Sequence, residues 1–110
     1  MCRVNRGEVW WVRFSAHAQG GEVRKERPAI IVSCDASNRH LNRVQVVPLT
    51  SRVGRLYPSE SHVKVRGRIH KAMADQIATV GRERTANRVT RLSPAEMDGV
   101  DRAIRTQLGL

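Results

Sequence analysis

The sequence predicts a mainly β fold, a small and mostly antiparallel β-barrel closed by a C-terminal helix. Three observations carry this. Two apolar runs, Arg27-Pro28-Ala29-Ile30-Ile31-Val32-Ser33 and Val44-Gln45-Val46-Val47-Pro48-Leu49-Thr50, flank a polar stretch. A third segment, His62-Val63-Lys64-Val65-Arg66, alternates strictly between apolar and polar residues. Finally, Ser93-Pro94-Ala95-Glu96 opens an apolar stripe at helical spacing. The 110 residues suit one domain, 1–110, with one modest core.

Residues 1–6 read as a short basic tail. Gly7-Glu8-Val9-Trp10-Trp11-Val12-Arg13-Phe14 reads as the first strand. Period-two alternation sends Val9, Trp11 and Arg13 to one face and Glu8, Trp10, Val12 and Phe14 to the other. Adjacent tryptophans must face opposite sides, so one is expected near a rim or a dimer contact unless both are core. Residues 15–26 form a polar loop without hydrophobic periodicity, longer than a hairpin turn needs. The run from Arg27 to Ser33 reads as a strand buried on both faces, with Pro28 at its first residue. The stretch from Asp35 to Asn42 is rich in turn formers. It should join this run to the next as antiparallel neighbours, with Ser33 near Gln45 and Pro28 opposite Thr50.

Residues 51–61 read as a second exposed loop. His62 to Arg66 is a half-buried strand with its turn at Gly67. Residues 71–80 read as short strands broken at Asp75-Gln76, residues 81–87 as a charged connection, and residues 88–92 as a last strand. Ser93 can cap the helix, Pro94 suits its first position, and Glu96 completes a capping box. Met97, Val100, Ile104 and Leu108 then form one stripe, with Asp98, Asp101, Arg102 and Arg105 on the wetter side. Gly99 costs about 1 kcal/mol relative to alanine in a helix, so a close approach is expected there.

The formal net charge is +10, and arginine greatly outnumbers lysine. Arginine presents a planar fork of donors that fits phosphate, so a nucleic-acid partner is expected. A surface merely biased towards arginine would have the same composition. Cys2 and Cys34 form no CxxC motif; Cys34 reads as a buried thiol at a strand end and Cys2 as part of a frayed terminus. His17, His40, His62 and His70 lack metal-pair spacing, so no metal and no cofactor are expected. No apolar run spans a membrane and no signal-peptide core opens the chain, which points to a cytoplasmic protein without membrane contact.

The expected hairpin places the Arg27 guanidinium beside the hydroxyls of Thr50 and Ser51 at one end of a rigid sheet. Such a corner suits metal-free RNA cleavage. The substrate's own 2′-hydroxyl attacks phosphorus, and the protein removes that proton, stabilises the phosphate charge and assists the leaving 5′-oxygen. Arg27 would neutralise the phosphate through paired hydrogen bonds, and Thr50 would donate its hydroxyl. Glu22, in the loop feeding into Arg27, is the candidate base, with Glu26 the runner-up. Arginine hardly deprotonates, so electrostatic stabilisation is its safer role. Ser51, Arg24, Lys25, Arg52, Arg55, Tyr57, His17 and Gln76 complete the expected RNA-binding set. The bland alternative is an ordinary strand edge at Arg27 and an ordinary cap at Thr50.

Four pieces in order resemble the MazF/PemK family of toxin endoribonucleases. They are Arg6-Gly7-Glu8-Val9-Trp10, Arg27 to Ser33, Val46-Val47-Pro48-Leu49-Thr50-Ser51, and Ala74-Asp75-Gln76-Ile77. The resemblance implies an SH3-like barrel of the CcdB/MazF type and a homodimer. It implies metal-independent, sequence-selective cleavage of single-stranded RNA, leaving a 2′,3′-cyclic phosphate and a 5′-hydroxyl. It also implies a cognate antitoxin whose acidic segment covers the site. Arg27 and Thr50 match the family's catalytic arginine and threonine, and Glu22 has the spacing of the glutamate proposed as base in some members. Two other readings remain: a gyrase-poisoning toxin like CcdB, acting through its C-terminal helix, and a plain RNA-binding module.

Overall fold

The computed structural model describes residues 3–14 and 25–110. The described chain forms seven strands and two helices: β1 (Glu8–Arg13), β2 (Glu26–Ile31), α1 (Asp35–His40), β3 (Arg43–Thr50), β4 (Glu60–Val65), β5 (Arg68–Met73), β6 (Ala78–Gly81), β7 (Thr85–Arg91) and α2 (Pro94–Leu108). One curled antiparallel sheet runs β4-β5-β3-β2-β1-β7, with β6 paired to the first half of β3. The expected barrel with a C-terminal helix is therefore present as a half-barrel.

β3 organises the sheet. Its middle pairs with β2, and its opposite edge pairs with β6 at one end and β5 at the other. Such a strand is buried on both faces, which is why it reads as a nearly continuous apolar run. Ala29 and Ile31 of β2, with Val44 and Val46 of β3, join Trp10 and Val12 in one core cluster. Ile30, Val47 and Leu49 face the other way, into a second cluster that Val100 of α2 covers.

The β2–β3 register is Ala29 to Pro48, Ile30 to Val47 and Ile31 to Val46. This lies one residue from the expected pairing. The cause is the connection, which is a short helix rather than a turn. Asn38, buried in it, bonds back to the Ser33 carbonyl and to Asp35, and the Ser33 hydroxyl accepts from the Gln45 amide at 3.1 Å. Cys34 precedes that helix at the surface, so the expectation of a buried thiol is corrected: it is exposed, with Sγ 3.4 Å from the Ser37 hydroxyl. The part of the expected basic tail that is described is also anchored. Val4 sits in the core, and Arg6 donates to the Val32 carbonyl and pairs with Asp101 of α2. Cys2 lies outside the described residues.

The β4–β5 hairpin turns at Arg66-Gly67, both at positive φ. Two left-handed residues match the right-handed twist of the flanking strands, and glycine takes the second place without steric cost. A 3-10 turn at Ala74–Gln76 breaks β5 from β6, at the break expected from Asp75-Gln76. β7 begins at Thr85, three residues before the expected start.

α2 has the full capping box. Ser93 Oγ accepts from the Glu96 amide, and the Glu96 carboxylate accepts from the Ser93 amide at 3.0 Å. Its buried residues are Val100 and Ala103, whereas Leu108 is 53% exposed in the last turn. A Cβ on Gly99 would stand 2.5 Å from the Ser61 hydroxyl, which is the close approach expected there. Among the described residues no helix is long and apolar enough to cross a membrane.

Candidate active site

Alternation along β1 buries Trp10, whose indole N–H donates to Glu8 at 3.0 Å, and leaves Trp11 39% exposed. Trp11 is cross-strand from Pro28, and Val12 from Arg27. Extending the β2–β3 offset by two residues sets Arg27 across from Thr50, and Thr50 is in turn paired with Lys71 of β5. Cross-strand partners share a face, so Arg27, Thr50 and Lys71 form a row across three neighbouring strands, each about 5 Å from the next.

Arg27 and Thr50, both half-buried, line one cleft of about 530 Å³ at this end of the sheet. Arg27 Nε is buried without a hydrogen-bond partner, and no ion pair among the described residues involves its guanidinium. Buried donors are nearly always satisfied within the fold, so an arginine that lines a cleft and is left uncommitted is a candidate to bind a ligand through its guanidinium. The Thr50 hydroxyl oxygen accepts from the Arg52 amide at 3.2 Å. That leaves its hydrogen available to donate to an anion.

Of the other expected site residues, Lys25 and Ser51 line the same cleft, as does the runner-up base Glu26, which is exposed. Arg52 meets it through its backbone N–H, which donates to the Thr50 hydroxyl oxygen. Arg55 and Tyr57 lie further along the loop, the guanidinium 5.3 Å from the ring centre. Gln76 sits apart in the 3-10 turn. Glu22, Arg24 and His17 lie outside the described residues.

The cleft also contains residues that motif reasoning passed over: Trp11, Arg66, Arg68 and His70. Signals for them existed. Trp11 is the outward member of an adjacent pair, and Arg66 and Arg68 flank a turn glycine. His70 places Nδ1 3.2 Å from the Arg68 carbonyl, within hydrogen-bond reach. Among the described residues, no group of three or more His, Cys, Asp or Glu could hold a metal ion.

A second cleft of about 500 Å³ lies against Trp10, Leu41, Arg82 and Thr85. Two of its polar residues bond within the fold. Arg82 donates to the Asn38 and Leu41 carbonyls, and the Thr85 hydroxyl donates to the Arg82 carbonyl at 2.6 Å. The Arg27 cleft carries more positive charge, with Lys25, Arg27, Arg66 and Arg68 against Arg39 and Arg82, and is the better equipped for an anionic ligand.

Comparison with known proteins agrees with this fold. Residues 5–108 match the family described as PemK-like, MazF-like toxin of type II toxin-antitoxin system, and the chain belongs to that family. It is 34% identical over 116 residues to Endoribonuclease MazF9 of Mycobacterium tuberculosis (strain ATCC 25618 / H37Rv), covering 97% of this chain and 98% of that one. A mycobacterial endoribonuclease solved in complex with its cognate antitoxin superimposes with a TM-score of 0.80 at 29% identity, covering 97% and 96% of the two chains. MazF from Deinococcus radiodurans superimposes with a TM-score of 0.86 at 25% identity over the whole of both chains.

Proposed function

We propose that residues 1–110 are one toxin domain, a sequence-selective endoribonuclease that cuts single-stranded RNA without a metal ion. The substrate's 2′-oxygen attacks the adjacent phosphorus, the bond to the 5′-oxygen breaks as that oxygen takes up a proton from solvent water, and a 2′,3′-cyclic phosphate and a 5′-hydroxyl remain. Arg27 holds the non-bridging oxygens and stabilises the charge that grows on them. Thr50 donates to the same phosphate and fixes its orientation. Glu22 takes the 2′-hydroxyl proton, with Glu26 the alternative base at the cleft. Ser51, Lys25, Arg24, Arg52, Arg55, Tyr57, His17 and Gln76 form the wider RNA-binding set.

The observation that carries this reading is the unmet Arg27 Nε in a cleft shared with the Thr50 hydroxyl. Family membership, the net charge of +10 and the relative named as an endoribonuclease support it. The structural relative bound to its antitoxin supports a cognate antitoxin here, and the basic cleft suits an acidic segment of that partner. We further read the chain as a homodimer acting in the cytoplasm, where single-stranded RNA and an antitoxin are both met. The C-terminal helix and the Trp10/Trp11 strand are the candidate dimer surfaces.

The test is product chemistry. Purified protein with end-labelled RNA should yield 5′-hydroxyl and cyclic phosphate ends, with or without chelator. A 2′-deoxy substitution at the cut position should abolish cleavage. Cutting of the 2′-deoxy strand, or 5′-phosphate products, would exclude attack by the 2′-oxygen. Glu22→Gln and Glu26→Gln, assayed in parallel, identify the base as the variant whose rate falls.

A further inference from the structure

The row that starts at Arg27 and Thr50 continues to a buried charge. Lys71, cross-strand from Thr50, is 8% exposed, and its ammonium lies 3.0 Å from the Glu60 carboxylate, itself 6% exposed. Nothing in the reaction above uses this pair. A buried ion pair is weak evidence for stability, because its desolvation offsets much of its attraction. Its contacts suggest another role. The ammonium also donates to the Arg55 carbonyl at 2.5 Å, and the same Glu60 oxygen accepts from the Tyr57 amide at 2.8 Å. Arg102 of α2 closes the far end of the loop through the Pro58 and Glu60 carbonyls at 2.9 and 2.7 Å.

The ring these bonds hold in place is that of Tyr57. Lys71 Nζ lies 5.5 Å and the Arg55 guanidinium 5.3 Å from its centre, and the residue is 50% exposed. An exposed aromatic with cations against it, on a loop tied to a buried ion pair, is the kind of surface on which a nucleobase stacks. The loop leaves the sheet at Thr50, and Lys71 stands one strand further along the same row. Strands stand about 5 Å apart and Lys71 Nζ lies 5.5 Å from the ring centre, so the ring lies within a few nucleotides of a phosphate held at Arg27 and Thr50.

We infer that Tyr57 is the stacking platform for an RNA base flanking the scissile phosphate, and that Lys71, paired with Glu60, is the residue that positions it. This rests on the ribonuclease reading and adds where the chain next to the cut is gripped. Tyr57 binds substrate and Lys71 acts through it, so both should govern KM more than kcat.

The experiment pairs changes in the protein with changes in the RNA. A single-stranded substrate carries an abasic residue at each position on either side of the cut. A parallel set has a 2′-deoxy residue at the cut, so that binding is read without cleavage. At one position the abasic residue should weaken binding to the unaltered protein by roughly 5- to 150-fold, the range of base–aromatic stacking. Tyr57→Ala should bind intact RNA that much more weakly and lose its sensitivity to that abasic position. Lys71→Met alone would strand the Glu60 charge, so Lys71→Met/Glu60→Gln is the informative variant. It should remain folded and reproduce the Tyr57→Ala rise in KM with little change in kcat, whereas Lys71→Arg should restore much of the affinity. Equal abasic penalties in the unaltered protein and Tyr57→Ala would overturn the stacking site. A folded Lys71→Met/Glu60→Gln protein with ordinary KM would overturn the positioning role. An unaltered protein that binds RNA with the Tyr57-dependent abasic penalty but cuts none would refute the nuclease reading instead.

Discussion

Arg27 falls across from Thr50 when the β2–β3 register is continued two residues, and both line one cleft. Their juxtaposition is a property of strand register. A slip of one residue would send one of the two side chains to the other face. The register is held away from the cleft, by the two-sided burial of Ile30, Ile31, Val46 and Val47 and by the Ser33–Gln45–Asn38 bonds at the far end of the hairpin. The candidate site therefore rests on a rigid scaffold, as the proposed recognition of a single phosphodiester requires.

The wall of the cleft should contribute to binding through charge. Arg66 and Arg68 flank the β4–β5 turn and line the cleft. Each phosphate contact on a single strand contributes about 0.7 to the slope of log affinity against log salt. Arg66→Ala/Arg68→Ala should lower that slope by about 1.4 if both arginines contact phosphate. Titration of a non-cleavable RNA at several salt concentrations measures it.

Acid should weaken the fold through Glu8. Burial pushes its carboxyl up, but hydrogen bonds from Trp10 and Asn5 and the Arg88 guanidinium outweigh that, so it titrates below its ordinary value of 4.5. A carboxylate lowered in the folded state stabilises fully above its unfolded value and loses that contribution as pH falls through the folded one. Glu96 is lowered in the same sense, with burial again opposed by bonds from the Ser93 and Lys64 amides. Glu8→Gln should be less stable at neutral pH and show a shallower decline in Tm between about pH 6 and 3. Thermal melts across that range provide the comparison.

Gly99 and Ser61 should be coupled. Alanine in place of a helical glycine is worth about 1 kcal/mol, but here the new methyl meets the Ser61 hydroxyl. Gly99→Ala alone should gain less than that or lose stability. In a Ser61→Ala background the full gain should return, giving a coupling of about 0.5 kcal/mol or more by denaturant melts.

Much of this architecture was legible because particular residues admit one reading. Val63 and Val65 against His62 and Lys64 allow only a half-buried strand, and Ser93-Pro94-x-Glu96 allows only a helix start; both are present. The polar connection after Cys34 was misread because Asp, Ser and Asn serve turns and short helices alike. What decided between them was the burial of Asn38, which no local pattern reveals. That misreading also displaced the expected register by one residue. Motif and spacing led to the expectation that Arg27 and Thr50 share one corner, and both line one cleft. Trp11, Arg66, Arg68 and His70 were not expected there, since their membership of the cleft depends on how three non-adjacent segments curl together. The Lys71–Glu60 pair was equally hidden, because a lysine in a strand reads as a solvent-facing residue until its partner is placed.

The account stands most directly on the Arg27–Thr50 pair, and single-turnover cleavage of one defined RNA tests it. With folding verified by thermal melts, Arg27→Ala should lower kcat/KM by about 100- to 1,000-fold, the cost of removing one preorganised donor from a developing oxyanion, and Thr50→Ala should lower it by less. Cleavage by a folded Arg27→Ala protein at the unaltered rate would contradict the account.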